Sequence, residues 1–244
     1  MALIDLANPT RFLSLSGRIL PWLTAATVLC FAWGFWLVIG APDDYQQGAT
    51  VKIMFIHVPS AWLAMMGWTV MTIAALGTLV WRHPLADMSA KAAAPIGAAF
   101  TLICLITGAL WGRPMWGTYW VWDARLTSVF VLFLMYLGVI VLWRTVDDPA
   151  RAGRAAAILT LVGAINLPII KFSVDWWNTL HQPASVVRIG GPAIHSSILI
   201  PLLVMAVAFT LLFFTLHLAA MRNEILKRRV RSMLLLQAEA APGR

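Results

Sequence analysis

Residues 126–143 read Leu-Thr-Ser-Val-Phe-Val-Leu-Phe-Leu-Met-Tyr-Leu-Gly-Val-Ile-Val-Leu-Trp, without one charge or proline. As a helix rising ~1.5 Å per residue, this stretch comes close to the ~30 Å of a bilayer's hydrocarbon core. A barrel strand would alternate polar with apolar residues, and this stretch does not. Comparable runs occur at Ile19–Gly40, Met54–Trp81, Ala92–Trp111, Ala155–Ile170 and Ala193–Ala220, the fifth being short and carrying Asn166 and Pro168. The reading is an all-α integral membrane protein, one domain over residues 1–244 built as a six-transmembrane-helix bundle. Composition agrees: 61% of the residues are hydrophobic, 11% are charged, and mean hydropathy is +0.81. A soluble domain cannot bury that much apolar surface.

The net charge of +8 does not point to nucleic acid, because the basic residues sort by side of the membrane. Six spans put both termini on one side. With them go Arg11, Arg18, Arg82, Lys91, Arg144, Arg151, Arg154, Arg222, Lys227, Arg228, Arg229, Arg231 and Arg244, leaving Lys52, Arg113, Arg125, Lys171 and Arg188 opposite. The positive-inside rule then makes both termini cytoplasmic, with the cluster Lys227–Arg231 against anionic lipid or a cytoplasmic partner. The first span is too long for the apolar core of a cleaved signal and is read as retained. Cys30 and Cys104 fall in mid-span as small packing residues, with no Cys-x-x-Cys. Gly108 and Gly112 have small-xxx-small spacing and are given packing weight. Residues from Gln237 onward are expected to fray.

The outer segments Pro42–Ile53, Gly112–Arg125 and Lys171–Pro192 hold what chemistry there is. Residues 116–123 read Trp-Gly-Thr-Tyr-Trp-Val-Trp-Asp, and Trp176 and Trp177 lie in the third segment. The i, i+4 spacing of Trp116 and Trp120 suits one face of a short interfacial helix. On spacing alone an aromatic membrane belt and a platform for a planar ligand are equally open. Of the five histidines, His83 and His217 fall on the inner side as solvated or snorkelling side chains. His57, in Phe-Ile-His-Val-Pro-Ser-Ala-Trp with Pro59 suited to a first helical turn, lies on the outer side with His181 and His195. Neutral imidazole is the usual haem axial donor, and Arg113, Arg125, Arg188 and Lys171 could meet propionates. Asp123 is expected to hold Arg125 or a loop N–H.

The motif Trp-Gly-x-x-Trp-x-Trp-Asp at Trp116–Asp123, followed by Ala-Arg-Leu-Thr-Ser, resembles the tryptophan-rich signature (WWD motif) of the haem-handling proteins of cytochrome c maturation. Within that group the chain is most similar to the cytochrome c maturation protein C (CcmC) family, over nearly its whole length. The resemblance implies that His57 and His181 are axial ligands to haem iron. It implies a cradle for the porphyrin in the loop carrying Trp116, Gly117, Tyr119, Trp120, Trp122 and Asp123, with haem b as the transported ligand. It further implies delivery to a periplasmic haem chaperone, an ATP-binding-cassette (ABC) transporter complex with ATPase and membrane subunits, and a small single-span helper. Tyr119 stands where some relatives carry tryptophan, and the family gives His195 no role. The chain has no Gly-x-x-x-x-Gly-Lys-Ser/Thr and no nucleophile–base motif, so it is read as a holder and presenter rather than an enzyme. Two other classes compete: a bis-histidine haem protein in quinone-linked electron transfer, which would ligate haem within its spans, and a haem or small-molecule permease subunit, which would carry ionisable residues at mid-membrane.

Overall fold

The computed structural model describes residues 8–240, and within them the regular structure is helical apart from one isolated Asp44–Gly48 bridge. Helix α1 (Pro9–Gly40) starts where Asn8 Oδ1 accepts the N–H of Thr10 at 2.8 Å, with Pro9 in the first turn. A tight loop closed by Asp44 and Gly48 leads through a 3₁₀ turn, Ala49–Ile53, into α2 (Met54–Leu79). Then follow α3 (Ala86–Trp116), α4 (Ala124–Thr145), α5 (Pro149–Ala164), α6 (Asn166–Trp176) and α7 (Ser196–Ala240). Asp148 caps α5, accepting the N–H of Ala150 at 2.7 Å, and Pro149 takes the first position. Counting α5 and α6 as one broken span, six helical units are long and apolar enough to cross a membrane.

Helix α2 is the hub, packing along α3 and also against α5 and α7, while α1 leans on α7. The α1–α7 seam uses small residues: Thr27 and Thr215 bring their hydroxyls to 2.9 Å, and Gly34 meets Met205. Lipid tails are as apolar as leucine, so close packing and interhelical hydrogen bonds must hold such a bundle together. Trp68 and Tyr136 do both at its centre. They are fully buried with ring centroids 4.7 Å apart; Trp68 Nε1 donates to the Thr160 carbonyl at 3.0 Å and Tyr136 Oη to that of Ala64 at 2.8 Å. Gly97 makes room, since a Cβ there would stand 2.3 Å from the Tyr136 ring.

Several boundaries differ from the sequence reading. The fifth span is longer, running Pro149–Trp176 with a break at Ile165, ahead of Pro168, whose missing N–H cannot continue the ladder. Asn166, which weakened that span on hydropathy, donates from Nδ2 to the Ser128 carbonyl of α4 at 2.8 Å. The third span continues to Trp116, so Gly112–Trp116 is helix rather than loop. Pro59 lies inside α2 rather than in its first turn, because the helix starts at Met54.

Helix α7 has 45 residues, about 68 Å at ~1.5 Å per residue, and overruns any bilayer. Residues 237–240 are helical, not frayed; 241–244, including Arg244, lie outside the described residues. In the overrun Arg228 is bound internally, to Asp87 at 2.8 Å and Glu224 at 3.2 Å, and Arg229 reaches Thr10. Among the described residues Lys227 and Arg231 of that basic cluster stand exposed without such a bond, so the cluster is in part a clamp between helices. His217 is also not solvated. It is buried, stacked on Phe213 at 5.7 Å, with Nε2 3.1 Å from Ser89 Oγ.

Replacing Gly97 by valine is expected to cost about 1–3 kcal/mol through overpacking. Combined with Tyr136→Leu the two costs should fall short of additive. Thermal unfolding of the detergent-solubilised single and double variants checks this.

Candidate functional site

One face of α3 sets the site. Cys104, Thr107, Gly108 and Trp111 follow i, i+3, i+4, i+7 and so form one stripe near the tryptophan-rich end of the bundle. His57, near the start of α2, lies against that stripe. Its Nδ1 is 3.1 Å from the Cys104 carbonyl oxygen and 3.0 Å from Thr107 Oγ1, while the Thr107 hydroxyl donates to the Ile103 carbonyl at 2.6 Å. A carbonyl only accepts, so Nδ1 carries the proton and the lone pair is on Nε2. Gly108 provides the space: a Cβ there would stand 2.9 Å from His57 Cε1. Trp111 meets the imidazole edge to face at 5.6 Å, and its Nε1 donates to Gln47 Oε1 at 2.9 Å, tying in the loop after α1.

His181, from the irregular segment between α6 and α7, is set in the same sense by a different partner. Its Nδ1 faces Asp123 Oδ2 at 3.6 Å, and its ring meets Trp116 at 5.0 Å. Burial lowers its pKa below the ordinary histidine value, the charge of Arg125 adds to this, and Asp123 opposes it. It is therefore neutral at physiological pH. Although His57 and His181 are far apart in sequence, both lie against the last turns of α3, His57 on Trp111 and His181 on Trp116. His195 does not join them in the same form. It is exposed at the start of α7, and its Nδ1 accepts the Ser197 N–H at 3.3 Å and lies 2.9 Å from Ser197 Oγ.

Residues 117–123 are irregular, so no short helix joins Trp116 to Trp120. Gly117 ends α3 at φ 77°, a left-handed conformation that glycine adopts without a Cβ penalty. Arg113 is in the last turn of α3, donating to the Gly117 carbonyl and lying 5.5 Å over the Tyr119 ring. Trp120 is half-buried and Trp122 exposed; they meet at 5.4 Å, and both also touch Phe130. Asp123 is bonded neither to Arg125 nor to a loop N–H as expected: Oδ1 accepts the Leu126 N–H in the first turn of α4 at 2.7 Å and so caps that helix. Arg125 turns instead to Ser173 Oγ at 3.0 Å and to the carbonyls of Ile170 and Lys171 at 3.3 Å. Arg188 is exposed in the segment before α7.

The polar atoms here carry information. Trp120 Nε1, Asp123 Oδ2 and His181 Nδ1 are buried without a hydrogen-bond partner. Buried polar groups are nearly always paired, and here Asp123 Oδ2 and His181 Nδ1 face each other at 3.6 Å, too far for a hydrogen bond. Sequence reasoning missed Thr107, Gly108 as a space for imidazole, and the Cys104 carbonyl. Their helical spacing with Trp111 was the available signal.

Fold and site together define a polytopic helical membrane protein with two histidines, His57 and His181, packed against the tryptophans at one end of the bundle. The family model described as heme exporter protein C (CcmC) matches residues 2–236. A curated heme exporter protein C of Bradyrhizobium diazoefficiens is 77% identical over 238 residues, covering 98% of this chain and 90% of that protein. Those of Paracoccus denitrificans and Escherichia coli K12 are 44% identical over 245 residues and 48% identical over 233, covering 98% and 92% of this chain and 100% and 92% of theirs. The chain belongs to the heme exporter protein C family, and it is a multi-pass protein of the bacterial inner membrane.

Since Asn and Asp cap helices equally well, Asp123→Asn should leave the thermal midpoint nearly unchanged, while Asp123→Ala should cost about 1 kcal/mol. Thermal unfolding in detergent measures both.

Proposed function

We propose that this protein takes part in cytochrome c biogenesis by holding haem at the periplasmic face of the membrane and delivering it to a periplasmic haem chaperone. Nε2 of His57 and Nε2 of His181 are its axial ligands. The observation that carries this reading is the shared orientation of the two rings, each with Nδ1 turned to an acceptor. That leaves two bare Nε2 atoms, the donor set a six-coordinate haem requires. The residues fit such a cargo in other ways. Trp111 and Trp116 back the imidazoles, and the segment that follows Gly117 carries Tyr119, Trp120 and Trp122 as a partly exposed aromatic surface.

Arg188, Arg113 and Arg125 are the candidate cations for propionates, in that order of freedom. Arg188 is exposed, Arg113 is shared with the Gly117 carbonyl, and Arg125 is committed to α6. Both termini are cytoplasmic in this reading, because the loops opposite the tryptophan end carry most of the Lys and Arg. The chain acts as a binding and delivery subunit, with ATP hydrolysis on an ABC-type partner and a small single-span helper beside it. The cargo is haem b.

The exposure of Tyr119 and Trp122 suits handover. Ligation must hold a sparingly soluble porphyrin and still let an incoming protein reach its edge, and a sealed pocket would prevent that.

Detergent-purified protein should show a Soret band. Removing even an outer-shell partner of a metal ligand typically costs ~10–100-fold in affinity, so His57→Ala and His181→Ala should each lower haem content by at least about tenfold. Gly108→Val should act in the same direction by displacing the His57 ring, and His83→Ala should retain the band. Unchanged haem content in a His57/His181 double alanine variant would refute the assignment.

A further inference from the structure

The two histidines both turn Nδ1 toward an oxygen acceptor but differ in what that acceptor is. His57 Nδ1 is given to neutral acceptors, a main-chain carbonyl and a hydroxyl. His181 Nδ1 faces a carboxylate oxygen. We infer that Asp123 is the positioning residue for His181, so that His181 is the firmer of the two haem ligands and His57 is the one surrendered first at handover. This rests on the haem reading above.

Asp123 has two oxygens with separate tasks. Oδ1 caps α4 through the Leu126 N–H. Oδ2 is buried and without a hydrogen-bond partner, and so is His181 Nδ1, 3.6 Å away. A buried carboxylate oxygen left unpaired is costly, and the imidazole N–H is the donor in front of it. Arg125, the cation nearest in sequence, does not compete; its guanidinium is spent on Ser173, Ile170 and Lys171.

Binding iron through Nε2 draws electron density from the ring and makes Nδ1–H a stronger donor, which closes this contact. The bond so formed is charge-assisted and stronger than one to a neutral acceptor. A carboxylate behind an imidazole also makes it a more basic ligand and fixes the ring's orientation. His57 receives no such support, and its bond to iron is the weaker one. Position agrees with this ranking. Asp123 is rigidly placed as the first-turn cap of a membrane helix, and it reaches across to a histidine on an irregular segment that has no regular hydrogen-bond ladder of its own.

The test uses haem-loaded wild-type protein, Asp123→Asn and Asp123→Ser, each of which keeps a capping oxygen, and Thr107→Val, which removes one neutral acceptor from His57. Measurements are the haem reduction potential by spectroelectrochemistry, haem retained after purification, and the thermal midpoint. The two Asp123 variants should show a more positive potential than wild type, because a less basic ligand stabilises ferric iron less. They should also lose about tenfold or more of their haem affinity, with the thermal midpoint unchanged. Thr107→Val should move the potential less than either. A potential and haem content equal to wild type in both Asp123 variants would overturn the inference while leaving haem binding intact. A fall of the thermal midpoint in Asp123→Asn would also overturn it, assigning the carboxylate to the fold. Absence of haem from the wild-type protein would instead remove the haem reading, and this inference with it.

Discussion

An imidazole that offers one ring nitrogen to a ligand needs an acceptor facing the other. Most of the arrangement at the tryptophan end follows from that constraint. For His57 the partner is a main-chain carbonyl of α3, held in place by the helix itself, with Thr107 beside it. Helix α3 must therefore come close to α2 at this level, and Gly108 permits it, because any Cβ there would meet the imidazole. Trp111, one turn further on, closes the edge of the ring and is anchored through Gln47. A single helical stripe thus fixes the tautomer, position and orientation of one candidate ligand.

The second histidine is placed by a different device. No helix carries it, so its orientation depends on neighbours that are themselves fixed: Trp116 at the last turn of α3 and Asp123 at the cap of α4. The left-handed Gly117 and the irregular run behind it carry the chain from one to the other. The tryptophan-rich segment is then a connector as much as a platform. Trp116 belongs to the histidine, and Trp120 and Trp122 cluster on Phe130 of α4. That division leaves Trp122 and Tyr119 as the rings most open to an incoming partner.

The six spans were legible in the sequence because hydropathy reports directly on the solvent a segment meets. Their ends were less so, since hydropathy cannot tell a helix that stops at the interface from one that continues into water, as α7 does. Nor did it distinguish a weak span from one broken at Ile165 and secured by Asn166, because the compensating bond to Ser128 comes from another helix. His217 was misjudged for a similar reason: its place near a span end was visible, but its packing against Ser89 and Phe213 depends on how α3 meets α7. In the candidate site, the histidines and aromatics stood out by residue type. Cys104 did not, because what it contributes is a backbone oxygen, and any residue at that position carries one.

The central claim is that two imidazoles, one on a helix and one on an irregular segment, act on a single haem from opposite protein elements. Electron paramagnetic resonance of the oxidised, detergent-purified protein tests it most directly. The account predicts a low-spin ferric signal with bis-imidazole character, giving way to a high-spin signal in any haem that His57→Ala still retains. A high-spin, single-ligand signal from the wild-type protein would contradict it.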